Sequence, residues 1–245
     1  MILKKPKLLL VHIPRTGGSS VENFFNFQSS NRIGTREYRY STLEESKKYC
    51  KIENYFKFSI VRNPWSRLLS WFLWSYAEVI YYQYIFERGE RPLEGKSGRT
   101  RAWAKGRKLL NDKKNGFINQ KLFLKFKTSF SSFIERLESE SDLSADPKYD
   151  DIGALENRLH GRWIMPQVRW LESNSKIKMD YICKFENLKT DFNIILRKHE
   201  IKPKPLERTG KIRHKPNYRK FYTKKNQEIV SKLYKEDIKK FKYDF

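Results

Sequence analysis

Lys7-Leu-Leu-Leu-Val-His-Ile-Pro-Arg-Thr-Gly-Gly-Ser-Ser20 is the stretch whose reading decides the fold. A short apolar run ends in Pro14, a polar turn with two glycines follows, and an amphipathic segment begins at Val21. That succession predicts a strand over 7–13, a tight loop, and a helix over 19–28. Such a loop gathers backbone N–H groups and a helix N-terminus around one point, which suits an anion and above all a phosphate. Gly17 and Gly18 let the backbone approach closely, Ser19 and Ser20 are placed to cap the helix and add hydroxyl donors, and Arg15 sets a fixed positive charge at the same mouth.

The same grammar recurs further along. Lys57-Phe-Ser-Ile-Val61 reads as a second strand, and Arg62-Asn-Pro-Trp-Ser follows at once, with Pro64 suited to a first helical turn. Trp65, Leu68, Leu69, Phe72, Tyr76, Val79 and Ile80 recur at helical spacing and predict a long helix to about residue 86. In a parallel sheet both strand-to-helix corners lie at the carboxyl edge, where ligands bind. Arg62 ends the strand, and Ser70 lies about two helical turns along, so the pair can hold a second phosphate. Taken singly, each has a plainer reading: Arg62 as an ion pair holding the corner, Ser70 as a small residue at a helix contact.

Around these corners the chain is less regular. Ser41-Thr-Leu-Glu-Glu reads as a helix start within a polar stretch. Residues 87–116 are basic and glycine-rich and read as a mobile excursion: a lid, a substrate-binding insertion or an exposed linker. Residues 117–139 read as helical with a second start at Ser129, and 140–151 as an acidic loop. Lys178-Met-Asp-Tyr-Ile-Cys-Lys-Phe185 is a third strand. The helix after it has Leu188, Phe192, Ile195 and Leu196 on its inner face, and a last helix starts near 224. Strands alternating with helices predict an α/β fold, a P-loop-like three-layer sandwich whose central, mostly parallel sheet is flanked by helices, in a single domain spanning 1–245 with a basic insertion at 87–116.

Composition narrows the function classes. The chain has 245 residues, enough for one full-sized domain. Hydrophobic content is low at 38% and aromatic content high at 15%, so Phe, Tyr and Trp must carry much of the packing. The formal net charge of +24 serves solubility, an anionic partner, or both. Cys50 and Cys183 are the only cysteines and lack metal-ligand spacing, so neither a disulfide framework nor a zinc site is expected. No window approaches the ~18 apolar residues of a membrane span, and no signal peptide is read, so a cytoplasmic location is expected.

His12-Ile-Pro-Arg-Thr-Gly-Gly-Ser-Ser20, followed by Phe58-Ser-Ile-Val-Arg-Asn-Pro-Trp-Ser-Arg-Leu-Leu-Ser70, resembles the sulfotransferases that use 3′-phosphoadenosine 5′-phosphosulfate (PAPS), within their carbohydrate branch of glycosaminoglycan-type enzymes and soluble bacterial relatives. The likeness continues through His160 to Gln167 and Cys183 to Leu188, and ends with Tyr234, Asp237 and Phe241 to Tyr243. It implies that Arg15, Thr16, Gly17, Gly18, Ser19 and Ser20 wrap the 5′-phosphosulfate. Arg62 and Ser70 would take the 3′-phosphate, and a basic loop near Lys211 and Tyr218 would close over the nucleotide, with no metal. The sequence departs from the family in two places. The family most often has lysine where Arg15 stands; arginine keeps the charge and offers a planar fork of donors, so it suits a departing oxygen. Many relatives also have a basic histidine between the two corners, and Tyr38-Arg-Tyr-Ser-Thr contains none.

The implied reaction is in-line transfer of a sulfuryl group to an acceptor hydroxyl, resting on positioning and charge neutralisation. His160 is the first candidate for the base that takes the hydroxyl proton, with a capping or core role beside Trp163 as its plainer reading; Glu22, Glu37 and Glu44 follow. His12, at a strand end, reads as structural and His199 as a helix-end cation. The resemblance favours a glycan acceptor, and the charge suits an anionic one. Two other classes stay in view. Basic stretches interleaved with aromatics can bind single-stranded nucleic acid, though no nucleic-acid module is present. A P-loop nucleotide phosphotransferase is the other, though the first loop lacks the Gly-Lys-Ser/Thr ending that holds phosphates and Mg²⁺.

Overall fold

The computed structural model describes residues 1–25, 32–33, 39–86, 89, 95–111, 120–139, 163–207 and 217–245. The chain divides into two compact units. One comprises Met1–Arg67, Met165–Gly210 and Tyr234–Asp244, and the other Leu68–Ile164, Lys211–Leu233 and Phe245.

The first unit holds a five-stranded sheet. Its strands are β1 (Ile2–Leu3), β2 (Leu8–Val11), β3 (Arg32–Ile33), β4 (Phe56–Val61) and β7 (Tyr181–Lys184), in the order β3-β1-β2-β4-β7. β2, β4 and β7 run parallel, with Val11 opposite Ser59 and Val61 opposite Lys184. The antiparallel β1 extends the sheet on the other side of β2. The three parallel strands are those the sequence predicts. β1 and β3 are two-residue strands, too short to carry a readable period. A separate two-stranded ladder joins β5 (Glu172–Ser173) to β6 (Lys176–Ile177).

All four residues of β2 are buried, as a strand covered on both faces requires. The two-residue period divides them between two cores. Leu8 and Leu10 join Phe58, Ile60 and Cys183 on one face, covered by α1 (Gly18–Phe24) and α7 (Leu188–Lys198). Leu9, Val11 and Val61 face the other way. There they meet Leu43 of α2 (Leu43–Ser46), Val168, Trp170 and Leu171 of α6 (Gln167–Leu171), and Phe241 of α9 (Lys235–Phe241). The result is the helix–sheet–helix layering expected of the α/β class. Ser59 is the polar exception in β4, and its hydroxyl donates to the Val11 carbonyl at 2.7 Å, so the buried group is satisfied. The helix start read at Ser41-Thr-Leu-Glu-Glu is a capping box: Thr42 Oγ1 accepts from Glu45 N, and Glu45 Oε2 accepts from Thr42 N.

The second unit is helical. It contains α3 (Pro64–Phe86) from Leu68 onward, α4 (Gly95–Asn111), α5 (Gln120–Ser139) and α8 (Lys224–Leu233). Its core is aromatic. The Phe72 ring lies 5.0–5.2 Å from those of Tyr76, Phe126, Phe130 and Phe133, and Phe221 and Tyr222 pack edge-on against Phe126 and Phe130. Of the stripe predicted on α3, Leu68, Leu69 and Phe72 are buried here, and Trp65 is buried in the first turn. The side chains of Val79 and Ile80 lie outside the described residues.

Three sequence expectations change. The stretch expected to be a mobile excursion contains α4, which packs on α3. A Cβ on Gly106 would stand 1.6 Å from the Ala77 carbonyl oxygen, so only glycine admits this approach. Ala102 then joins Tyr81 and Ile85 in a buried cluster. The glycines that read as breakers include one that is a helix-packing device. The second start at Ser129 is absent, because α5 runs through it and Ser129 Oγ pairs with the Tyr76 hydroxyl at 3.0 Å. The last helix is two, α8 and α9, divided at Tyr234. The acidic loop read at 140–151 lies outside the described residues.

Candidate active site at the carboxyl ends of the parallel strands

The first corner leaves β2 through His12 and Ile13 and turns in residues whose backbone is unusual. Arg15 sits at φ 67° and Gly17 at φ 96°. Gly17 is the N-cap of α1, and glycine is the residue that takes this left-handed conformation without strain. Thr16 Oγ1 donates to the Ile13 carbonyl at 2.8 Å, spending its proton on holding the loop. Gly18 has a different reason to be glycine: a Cβ there would lie 2.4 Å from the His12 ring. Ser19 and Ser20 are inside the first turn of α1, not at its cap, so the capping role expected of them falls to Gly17, which offers no side-chain acceptor.

Beneath the loop is a buried polar network. His12 Nδ1 lies 2.8 Å from Glu22 Oε1, and both side chains are nearly inaccessible. Arg39 closes on the other carboxylate oxygen at 2.7 Å and donates through Nη2 to Ser19 Oγ at 2.9 Å. Burial pushes the His12 pKa down despite Glu22, so the imidazole is neutral and donates from Nδ1. For Glu22, burial acts upward, but the His12 hydrogen bond and the positive charge of Arg39 outweigh it and hold the carboxyl below its ordinary range. Because Ser19 Oγ accepts from Arg39, its own O–H is left to donate.

The second corner is organised by Arg62, which is buried. Its Nε and Nη2 donate to Ser66 Oγ at 3.1 and 2.8 Å, and its Nη1 donates to the Arg15 carbonyl at 3.1 Å. The guanidinium also lies over the Phe185 ring, 4.3 Å from its centroid. The same ring faces the first loop, where its Cδ2 would stand 2.9 Å from a Cβ on Gly17. The carboxyl ends of β2, β4 and β7 thus contribute Arg15, Arg62 and Phe185 to one locus, as neighbouring parallel strands require. Burial lowers the Arg62 pKa to about 10, which still leaves it cationic at neutral pH. These bonds leave part of the fork's five N–H groups uncommitted.

A second buried arginine braces the same locus. Arg67, in the first turn of α3, donates through Nε to the Pro14 carbonyl and through Nη1 to the Met165 carbonyl. The first residue of α6 locks the backbone of Arg62: Gln167 exchanges hydrogen bonds with its N–H and C=O, both at 2.8 Å. Asp237 in turn accepts from Gln167 N, Gln167 Nε2 and Val168 N. Glu186 accepts from Asn63 N at 2.9 Å and from the Tyr243 hydroxyl at 3.0 Å.

Residues 1–244 match a family model described as the sulfotransferase family. The chain belongs to that family. No curated protein and no solved structure matches it. Sulfuryl transfer is the activity of a sulfotransferase.

The remaining candidate residues fall unevenly. Arg15, Thr16, Gly17, Gly18, Ser19, Ser20 and Arg62 come together in the first unit as described. Ser70 lies in the second turn of α3, and the serine that meets the Arg62 side chain is Ser66. Tyr218 opens a 3-10 turn, with its ring 5.6 Å from that of Phe245. His160, Lys211 and Glu37 lie outside the described residues. Among the other bases considered, Glu22 is committed to His12 and Arg39, and Glu44 is exposed and paired with Lys47. His199 is the C-cap of α7, and burial lowers its pKa, so the cation expected there is disfavoured. Sequence reasoning missed Arg39, Ser66, Arg67 and the role of Phe185; their signal is only proximity to the two corners.

The donor set at this locus, with two arginines, a serine O–H and a helix start without a side-chain cap, fits the phosphate groups of a nucleotide such as PAPS. Among the described residues no group of His, Cys, Asp and Glu is arranged to hold a metal ion, and no helix is long and apolar enough to cross a membrane.

Proposed function

We propose that this sulfotransferase moves a sulfuryl group from PAPS to the hydroxyl of a carbohydrate acceptor. The observation that carries the reading is the Arg62 side chain, which joins the two corners through the Arg15 carbonyl and keeps donors for an anion. Residues 15–20 hold the 5′-phosphosulfate, and Arg62 with Ser70 holds the 3′-phosphate. Lys211 and Tyr218 belong to the segment that covers the nucleotide. PAPS supplies the activated sulfuryl group. Arg15 sets its charge against the oxygen that departs from sulfur, and no proton need move there because a phosphate leaving group is a weak base. His160 accepts the proton of the acceptor hydroxyl. The chain acts as one sulfotransferase domain with 87–116 as an insertion. Free Cys50 and Cys183 suit a reducing, cytoplasmic setting.

Ligand-dependent thermal stability tests the reading. Adenosine 3′,5′-bisphosphate without magnesium should raise the Tm of the full chain, and labelled PAPS should pass its sulfate to a glycan in an acceptor panel. A rise with ATP–Mg²⁺ or single-stranded DNA, but none with the bisphosphate, would replace this reading with a phosphotransferase or a nucleic-acid binder.

A further inference from the structure

Four side chains of the first unit form a line of contacts that ends on the hydroxyl of Ser19. His12 Nδ1 meets Glu22 Oε1 at 2.8 Å. Glu22 Oε2 accepts from Arg39 Nε at 2.9 Å, and Arg39 Nη2 donates to Ser19 Oγ at 2.9 Å. The inner end of the line is fixed, because His12 and Glu22 are buried and the His12 ring occupies the space beside Gly18 that a Cβ would need. The Arg39 guanidinium lies over the Tyr40 ring, 5.2 Å from its centroid, and the His12 ring is 5.0 Å from the same ring. Arg39 is therefore held by a carboxylate and by an aromatic face. A guanidinium fixed in this way is pre-organised for its bond to Ser19.

Ser19 differs from other helical serines of this chain. Ser46, Ser132 and Ser231 each donate their proton to the carbonyl four residues back. For Ser19 that carbonyl belongs to Arg15, which lies outside the helix at φ 67° and accepts from Arg62 Nη1. Ser19 Oγ instead accepts from Arg39, its one recorded partner among the described residues. A hydroxyl carries one proton and two lone pairs. With a lone pair engaged by Arg39, the proton is turned away from the guanidinium. A cationic donor on the oxygen also polarises the O–H and makes it a stronger donor in turn. Such a hydroxyl is suited to an anion held in one place.

We propose that Arg39 is a positioning residue for sulfuryl transfer: it sets the rotor of Ser19 so that the O–H meets the 5′-phosphate group of the donor nucleotide, and His12 and Glu22 hold Arg39 there. The inference rests on the binding of PAPS at residues 15–20 proposed above. In this role Arg39 does not touch the nucleotide, and its contribution passes through one atom, Ser19 Oγ.

Calorimetry on the full chain with adenosine 3′,5′-bisphosphate and adenosine 3′-phosphate tests it. Ser19→Ala should weaken the bisphosphate roughly two- to tenfold, the worth of one hydrogen bond. Arg39→Met removes the donors and should weaken it by no more than that. The two changes together should cost no more than Ser19→Ala alone, because Arg39 acts through the group already removed. Adenosine 3′-phosphate lacks the group that Ser19 meets and should bind wild type and variants alike. Arg39→Met leaves Glu22 without its cation, so Glu22→Gln/Arg39→Met is measured beside it and should show the same loss. The inference is overturned if Arg39→Met costs as much affinity in the Ser19→Ala background as in wild type. It is also overturned if the variants weaken adenosine 3′-phosphate equally, or if Arg39→Met or Glu22→Gln/Arg39→Met binds the bisphosphate like wild type. Wild type that binds neither nucleotide would end the PAPS reading together with this one, whereas wild-type binding with additive losses would end this one alone.

Discussion

At the scale of single residues, the locus depends on charges that are buried and accounted for. Arg62 spends part of its fork on Ser66 and the Arg15 carbonyl, keeps the remaining N–H groups for an anion, and rests on Phe185. Arg62→Ala should weaken adenosine 3′,5′-bisphosphate roughly 10- to 100-fold in calorimetry, the worth of charge-assisted hydrogen bonds of about 1.5–3 kcal/mol. Arg62→Lys should fall between, keeping the charge and losing the fork. The His12–Glu22 pair makes a pH prediction. Both pKa values are lowered in the folded state, so the unfolded chain takes up each proton first. Stability should therefore be intact above the ordinary His value of 6.5, erode as pH falls through it, and erode further below the ordinary Glu value of 4.5. The slope is at most about 1.4 kcal/mol per pH unit for each group. Urea unfolding between pH 8 and 4 measures it, and His12→Gln should remove the upper part of the fall while leaving the lower. A fall that His12→Gln leaves unchanged would assign it to other groups.

At the scale of elements, the parallel strands and the helices after them were legible because each carries its own period. β2 and β4 alternate between two cores, and α7 places Leu188, Phe192, Ile195 and Leu196 on one face. What was not legible is α4. Its composition is basic and glycine-rich, and its packing on α3 depends on Gly106 meeting the Ala77 backbone. That contact reverses the usual sign of a substitution. Glycine to alanine inside a helix ordinarily gains about 1 kcal/mol, but Gly106→Ala should cost roughly 1–3 kcal/mol through overpacking, seen as a lower urea midpoint. A gain in stability would show that α4 does not approach α3 this closely.

At the scale of the whole molecule, distant parts of the sequence meet at the second corner. Asp237, near the end of the chain, accepts three hydrogen bonds from Gln167 and Val168, and Gln167 holds the backbone of Arg62. Asp237→Ala would orphan those buried donors and should lower the unfolding free energy by on the order of 3 kcal/mol or more. Asp237→Asn, which keeps a carbonyl oxygen, should cost less. Equal stability of wild type and Asp237→Ala would remove the anchoring role. The sequence by itself determined the α/β class, the two corners and the family, because these depend on local periods, turn residues and short motifs. Only the tertiary structure decided that Arg62 reaches the Arg15 carbonyl, that Ser66 is its serine partner, that Gly18 yields to the His12 ring, and that Asp237 secures the corner. Those contacts join residues 4 to 105 apart in sequence or lock a side chain into a packed environment. No period or motif records such pairings, since they arise from how the strands and helices pack.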